Sequence, residues 1–209
     1  MNKQEKTKKT KERILAAALA EFGRKSYSAA SVNNICEIGQ IPKGLLYHNF
    51  KGKDELYLLC VKTCYEKLTE ALKEQPLDIQ DAKKSLQKLL MIRQKFLSEN
   101  PFYANIFFNA VLLPPKHLAQ ELMQLRSGFD DYFQQCYYAI LNCVSLRKGI
   151  TKEDALEYFL VVSEMFNGYF QKKAEKNGDY RALIEDHEGK LSMFFDFMLY
   201  GIAEEEHKD

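Results

Sequence analysis

Apolar residues recur every three or four positions along almost the whole chain, which is the spacing of one face of an α-helix. The first such run places Ile14, Ala18 and Phe22 on one face. No stretch alternates between apolar and polar residues as a half-buried strand would. The pattern therefore predicts an all-α protein of about nine helices.

Interruptions of this pattern predict where the early helices begin and end. Ser31 is suited to cap a short helix that carries Val32 and Ile35. Pro42 suits the first position of the next short helix, because its missing N–H is not needed there. A tight turn is expected between them, at about Gly39 and Gln40. Two helices joined in this way form a helix-turn-helix, whose second helix can enter the major groove of DNA.

Longer helices are predicted for the rest of the chain. Thr151 and Asp154 resemble a capping box ahead of one of them, with Asp in place of the usual Glu. Gly149 is expected to end the helix before it. The predicted ranges are 53–74, 79–99, 101–113, 118–147, 151–178 and 188–204.

Charge is distributed unevenly, although the whole chain carries a formal net charge of only +1. Residues 1–56 hold 11 basic and 6 acidic side chains, a net of +5, and residues 57–209 hold 19 basic and 23 acidic ones, a net of −4. A basic segment joined to a larger acidic one suggests that only the first part meets a polyanion such as DNA. The alternative is that the lysines at positions 3, 6, 8, 9 and 11 are only a solvated tail.

Several classes of protein are disfavoured by the same inspection. A hydrophobic fraction of 46% is too high for intrinsic disorder. No apolar run reaches the ~18 residues that span a membrane, and the first residues lack the apolar core of a secretory signal, so a cytoplasmic protein without membrane association is expected.

Catalytic and metal chemistry find little support in the sequence. Cys60 and Cys64 would share a helix face, but structural zinc usually takes four ligands and no CxxC pair exists. The four histidines are scattered, and there is no nucleophile elbow or phosphate-binding loop. We expect no metal, no cofactor and no enzymatic activity.

Residues 10–56 resemble the DNA-binding domain of the TetR family of bacterial repressors. The resemblance is carried by the segment Lys43-Gly44-Leu45-Leu46-Tyr47-His48-Asn49-Phe50, by Arg13 to Ala18 before it, and by Lys53-Asp54-Glu55-Leu56 after it. It implies a three-helix DNA-binding domain at residues 1–52 and a helical ligand-binding and dimerisation domain at residues 53–209. The chain departs from the family pattern at Gln40, where the turn glycine usually stands, and at Leu45, where Thr is common.

The donor-rich second helix and the resemblance together predict a DNA-binding surface. Its expected members are Ser31, Asn33, Pro42, Lys43, Gly44, Leu45, Tyr47, His48, Asn49 and Lys53. Tyr47 is expected to donate to a phosphate, the alternative being a core aromatic. Leu45 is expected to contact a thymine methyl or only sugar carbons. Lys53 opposes the dipole of the helix that it begins, which a nearby phosphate would explain, the alternative being a solvated lysine.

The second part of the chain is rich in aromatic residues, most of which are expected to be core. Polar residues beside the apolar stripes suggest a pocket for a largely apolar small molecule with a few polar groups, since buried polar atoms need partners. The ligand itself is not identified. The predicted lining residues are Phe102, Asn105, Phe108, Asn109, Phe129, Phe133, Tyr137, Glu164 and Asn167.

The resemblance further implies a homodimer in which the last two helices of each chain form a four-helix bundle. The expected interface residues are Phe159, Phe166, Phe194, Phe197 and Met198. Such a dimer would bind a near-palindromic operator in double-stranded DNA. The predicted function is a repressor released by its ligand, and the alternative is a similar DNA-binding protein that has no small-molecule inducer and acts architecturally or through a protein partner.

Overall fold

The structure is a computed structural model and describes residues 2–75, 77, 81–176 and 180–202. In these residues nine α-helices and one short 3₁₀ helix follow one another without a β-strand, so the predicted all-α class is confirmed. The helices are α1 (Lys3–Phe22), α2 (Val32–Gly39), α3 (Lys43–Asn49), α4 (Lys53–Lys73), α5 (Ala82–Glu99), α6 (Pro101–Leu112), α7 (Ala119–Leu141), α8 (Lys152–Ala174) and α9 (Tyr180–Ile202), with the 3₁₀ helix at Lys116–Leu118.

Side-chain caps explain several helix starts. The Ser31 hydroxyl accepts the Asn34 N–H at the start of α2, as predicted. Thr151 and Asp154 form the predicted capping box of α8, in which each side chain pairs with the other's backbone. A capping box between Asn2 and Glu5 starts α1 far earlier than the apolar pattern indicates. The lysine-rich start of the chain is therefore helical from Lys3 onwards.

Three boundaries differ from the predicted ones. Helix α7 ends at Leu141 and not at 147, because the N–H groups of residues 142 to 144 bond three residues back in tight turns. Pro42 is the N-cap of α3 and not its first helical residue. Helix α9 begins at Tyr180, before the predicted 188. Helix α8 ends at Ala174, and the predicted start at 79 and the predicted ends at 178 and 204 lie outside the described residues.

The helices group into two compact units. The first comprises Met1–Lys67 and Leu97–Ser127, and the second comprises Leu68–Phe96 and Gly128–Asp209. Both α4 and α7 contribute residues to each unit. The predicted functional division at residue 52 stays a prediction.

The first unit has a core built on α1, with Phe22 beside α4. The Phe22 and Tyr57 rings meet edge to face at 5.1 Å, and Tyr27 meets Tyr57 in the same way at 5.0 Å. Such edge-to-face pairs are favoured by the ring quadrupoles. This packing fixes the start of α4 beside the end of α1.

The second unit contains an aromatic core and a buried charged cluster. Tyr137 of α7 stacks on Phe159 of α8 with centroids 4.2 Å apart, and Phe195 of α9 lies 5.5 Å from Phe159. Elsewhere in this unit Arg93 of α5 binds both carboxylate oxygens of Glu188 of α9, at 2.6 and 3.0 Å. In the described part of the chain, no helix is long and apolar enough to cross a membrane.

Candidate nucleic-acid interface

The turn between α2 and α3 is closed by a residue in the left-handed conformation. Gln40 has φ 50° and ψ 47°, and its N–H donates to the Glu37 carbonyl. The Ile41 N–H then donates to the Cys36 carbonyl at 2.8 Å, which satisfies the end of α2. At the position where the family's turn glycine usually stands, Gln40 thus adopts a left-handed conformation that carries a steric cost for a residue with a side chain.

Gly39 serves the packing of α2 and not the turn. A Cβ at this position would lie 2.3 Å from Ile41 Cδ1 and 3.0 Å from Ala17 Cβ. The missing side chain lets α2 approach α1 closely. Glycine one position early therefore leaves the left-handed strain at Gln40 in place.

Glu21 anchors the start of the helix-turn-helix, although no pattern in the sequence singles it out. Its side chain is 2% exposed and accepts hydrogen bonds from the Ser31 N–H at 3.0 Å, the Asn34 amide at 3.2 Å and the Lys25 ammonium at 3.0 Å. Burial alone would raise the pKa of Glu21, but these three donors outweigh it and the pKa lies below its ordinary value. The carboxylate therefore joins the end of α1 to the first turn of α2.

Helix α3 presents a row of polar side chains to solvent. Lys43, Tyr47 and His48 are exposed, Tyr47 by 49%, which excludes the alternative of a core aromatic. Asn33 on α2 and Pro42 at the start of α3 are exposed too. A Cβ on Gly44 would meet nothing within 4 Å, so this glycine is not needed for packing within the chain.

Three other predicted DNA contacts are already engaged in the fold. The Ser31 hydroxyl caps α2, and Leu45 is half-buried. The Asn49 amide is half-buried and donates to the Leu45 carbonyl at 2.8 Å. Ser31 and Asn49 thus have roles within the motif that do not depend on DNA.

Lys53 belongs to a cluster at the start of α4. Its ammonium lies over the Tyr27 ring, 4.4 Å from the centroid, a cation–π contact that was not anticipated. The Tyr27 hydroxyl donates to Asp54, and His117 of the 3₁₀ helix lies 3.3 Å from the same carboxylate group. Burial and the Asp54 carboxylate raise the pKa of Tyr27 to about 12, while the Tyr27 hydrogen bond lowers the pKa of Asp54.

This cluster gives Lys53 a partner within the chain, so a phosphate is not needed to explain its position at a helix start. Asp54 is among the residues that carry the family resemblance, which is a signal for its importance. His117 lies 63 positions beyond Asp54 in the sequence, and no local pattern connects the two.

The predicted effector residues of the first unit are used by the fold itself. The Asn105 amide donates to the Phe22 carbonyl at 3.3 Å, and the buried Asn109 amide donates to the Asn105 carbonyl at 2.8 Å. Phe102 covers Gly23 and lies 5.0 Å from the Arg24 guanidinium. Phe108 is buried. The two amides therefore have partners without a ligand.

The other predicted effector residues lie in the second unit, where three of them belong to one aromatic cluster. Phe129, Phe133 and Tyr137 are buried there together with Phe159 and Phe195. The Tyr137 hydroxyl is buried and has no hydrogen-bond partner in the described part of the chain. An unsatisfied buried hydroxyl costs about 1–3 kcal/mol, which a ligand group would recover.

Glu164 and Asn167 lie apart from the hydroxyl of Tyr137. Glu164 is exposed, and Asn167 is half-buried with its side-chain oxygen 3.5 Å from His187 Nε2. His187 is enclosed by the edges of Phe166 and Phe170. Asn167 thus belongs to the cluster that contains the Arg93–Glu188 pair.

The predicted interface residues are divided between the core and the surface. Phe159, Phe166 and Met198 are buried within one chain and have almost no area left to contact a partner, and their assignment to a dimer surface stays a prediction. Phe194 is half-buried and Phe197 is 63% exposed.

A different set of apolar residues faces solvent on the last two helices. On α8 these residues are spaced by three and four positions, the most exposed being Met165 at 69%. We call this set the α8–α9 stripe: Tyr158, Val161, Met165, Tyr169, Met193 and Phe197.

Known proteins resemble both parts of the chain. The family model of bacterial regulatory proteins of the tetR family matches residues 14–60, and that of the tetracyclin repressor-like C-terminal domain matches residues 80–193. The second match alone covers more than half of the 209 residues.

Solved structures share the fold over nearly the full length. A putative tetR family regulator from Shewanella sp. PV-4 is 17% identical, with a TM-score of 0.61, covering 94% of this chain and 99% of its own. SmeT, the repressor of the Stenotrophomonas maltophilia multidrug efflux pump SmeDEF, is 18% identical, with a TM-score of 0.62 and coverages of 93% and 91%. FadR, a fatty acid degradation regulator from Bacillus halodurans, is 14% identical, with a TM-score of 0.63 and coverages of 90% and 93%.

These structures establish a shared fold, and the family models account for both its DNA-binding and its C-terminal part. The exposed donors of α3 lie within the matched N-terminal region. The chain belongs to the TetR family of transcriptional regulators.

Proposed function

We propose that the protein is a repressor that binds a near-palindromic operator as a homodimer and is released by a largely apolar small molecule. The observation that carries the proposal is the exposed face of α3, where Lys43, Tyr47 and His48 point away from the core on a helix held by the α2 turn. Lysine and tyrosine donors on such a helix suit phosphate contacts, which position a protein on DNA.

Operator binding is tested on sequences selected from random duplexes. Lys43→Gln should weaken binding to every selected sequence and lower the slope of log affinity against log salt by about 1, because one phosphate contact is lost. Tyr47→Phe should weaken binding without changing that slope, because it removes an uncharged donor. Lys148→Gln, an exposed lysine of the second unit, is the matched control. Selected sequences without two-fold symmetry would refute the dimeric mode of binding.

The α8–α9 stripe supports the dimer. Exposed apolar side chains at helical spacing on two neighbouring helices form a surface that a soluble protein normally covers. Met165→Asp should convert the protein to monomers at micromolar concentration, measured by sedimentation, without loss of helical content, because Met165 makes little contact within its own chain. Met123→Glu, which changes an exposed methionine of the first unit, should leave the mass unchanged.

The aromatic cluster around Tyr137 is the place where we expect the effector. A planar apolar molecule with one hydrogen-bonding group would pack among these rings and pair with the unpartnered Tyr137 hydroxyl. Tyr137→Phe should then lower the affinity for the effector while leaving the affinity for the operator unchanged. By linkage, the effector can release DNA only by binding one dimer shape more tightly, typically by 5- to 150-fold.

A regulator without a small-molecule inducer is the second candidate. The observation in its favour is that the Asn105 and Asn109 amides, predicted as ligand partners, already bond to the main chain. A series of aromatic and aliphatic compounds titrated into the protein–operator complex separates the two candidates. The effector site is supported if a compound releases the parent protein from its operator at a concentration that leaves the Tyr137→Phe complex intact. The second candidate is supported if no compound releases the parent protein.

A further inference from the structure

A groove within the first unit lies away from the exposed face of α3. It has a volume of about 950 Å³ and is bounded by α1, by α4 and by Leu125 of α7. Sites for small molecules usually have volumes of about 300–1,000 Å³. Leu15, Leu58 and Leu59 line it together with Leu125, and all four side chains are only half-buried. The floor is therefore an apolar surface that the chain itself leaves partly uncovered.

The α1 wall of the groove changes from charged to apolar along its length. Lys8, Lys11 and Leu15 are spaced by three and four residues, so they lie in one line along the helix. Lys8 and Lys11 are exposed at the outer end, and Leu15 lies at the inner end. The groove thus has an apolar inner part and a cationic rim.

The other charged residues of the rim are mostly engaged. The Glu55 carboxylate accepts the Lys51 N–H at 2.5 Å, and Lys62 pairs with Glu66 at 3.8 Å. Glu12 contributes a further carboxylate to the lining. In the described part of the chain Lys8 and Lys11 have no ion-pair partner, so two ammonium groups face one uncommitted carboxylate.

We propose that this groove binds an amphiphilic anion, with an unbranched apolar chain on the leucine floor and a carboxylate or sulfonate between Lys8 and Lys11. Charge complementarity selects the anion, and the concave shape between helices selects a free molecule over a lipid bilayer, which helices contact through a protruding apolar face. The site belongs to the DNA-binding unit and is separate from the effector site proposed around Tyr137, so either can exist without the other.

Binding is tested with decanoate below its micelle concentration, using calorimetry on the full chain. Octanoate should bind about tenfold more weakly, because two fewer methylenes are buried. Decyltrimethylammonium, with an alkyl chain one carbon longer and the opposite charge, should still bind at least tenfold more weakly than decanoate. Equal affinities for the cationic and anionic amphiphiles would overturn the proposal.

Two double variants test the rim. Lys8→Gln/Lys11→Gln should lower the affinity for decanoate by about tenfold. The helical content should not change, because both side chains are exposed. Lys148→Gln/Lys176→Gln, which removes two exposed lysines of the second unit, should leave the affinity unchanged. An unchanged affinity in the first variant, or an equal loss in both, would overturn the assignment of the head group.

The position of the bound alkyl chain of decanoate is determined from the NMR resonances of leucine methyl groups. Decanoate should shift the methyl signals of Leu15, Leu58, Leu59 and Leu125 and leave that of Leu141 in the second unit unmoved. Shifts confined to leucines of the second unit would place the ligand in that unit and refute the groove as its site. Vesicles of anionic phospholipid that shift the same signals as strongly as free decanoate would contradict the choice of a free molecule.

Discussion

The Arg93–Glu188 pair gives the sharpest stability prediction, because both side chains are largely removed from solvent. Their side chains are 6% and 16% exposed, and two hydrogen bonds join them. Glu188→Gln keeps the shape of the side chain and removes its charge, so the buried Arg93 guanidinium loses the carboxylate with which it pairs. Breaking such a pair from one side costs about 3–5 kcal/mol.

The pKa of Glu188 gives a separate value for the contribution of this pair to the free energy of unfolding, and it gives the direction in which that contribution changes with pH. Burial opposes ionisation, but the charge of Arg93 and the hydrogen bond from His187 outweigh it and lower the pKa from 4.5 to about 2. That difference corresponds to about 3 kcal/mol. Since the folded pKa is the lower one, the contribution is fully present above pH 4.5 and is lost as the pH falls from 4.5 towards 2.

His187 acts in a different pH range. Burial lowers its pKa below 6.5, more than its contact with Glu188 raises it, so the folded chain keeps this imidazole neutral while the unfolded chain takes up a proton. Stability should therefore fall as the pH drops below 6.5, before Glu188 begins to titrate. The two contributions can be separated by pH.

The assay is urea denaturation followed by circular dichroism at constant protein concentration, from pH 7 to pH 3. Glu188→Gln should lower the free energy of unfolding at pH 7 by about 3 kcal/mol and should lack the part of the acid loss that begins near pH 4.5. Glu185→Gln breaks an exposed pair with Arg181 on the same helix and should have no measurable effect. Arg93→Met/Glu188→Leu, which removes both charges, should recover most of the loss. A Glu188→Gln loss no larger than that of Glu185→Gln would refute the reasoning.

Three further predictions follow from the first unit. Gln40→Gly should raise the free energy of unfolding by about 1 kcal/mol, because it removes left-handed strain; an unchanged or lower value in urea denaturation would contradict that strain. Gly23→Ala should lower it by about 1–3 kcal/mol, because the new Cβ would lie 2.5 Å from Phe102 Cβ, and a more stable variant would show that α6 can move away. Decanoate bound between Lys8 and Lys11 should lower operator affinity in the parent protein and not in Lys8→Gln/Lys11→Gln, because it neutralises two positive charges that attract the DNA backbone; an equal effect on both proteins, measured by fluorescence anisotropy of labelled duplex, would contradict this.

The helices were largely predictable because their signals are local. Ser31 and Thr151 cap the helices that the sequence assigns to them, and both caps rest on residues only three positions apart. The end of α7 was not predictable from spacing, because Val144 continues the apolar pattern of the helix beyond Leu141. Apolar periodicity marks the side chains that are buried, but it does not distinguish an α-helix from the tight turns that follow it.

The exposed face of α3 was predictable for the same reason, since its residues lie within eight positions of one another. The residues that hold the motif in place were not predictable. Glu21 lies ten residues before the Ser31 N–H that it accepts, and His117 reaches Asp54 from a distant part of the sequence. A buried glutamate and an exposed histidine have no periodic signature, so only the folded chain reveals what they hold in place.

Helix α8 shows why periodicity alone does not separate core residues from candidates for a dimer interface. It is apolar on two faces: Phe159 and Phe166 face the core of their own chain, and Val161 and Met165 face solvent. Both sets repeat every three or four residues, so the sequence cannot tell which face its own chain covers. The distinction matters for testing the proposed dimer, because a substitution at Phe159 or Phe166 would damage the fold itself. Only substitutions in the α8–α9 stripe separate association from folding, so they are the ones that test whether the proposed operator binding depends on the proposed dimer.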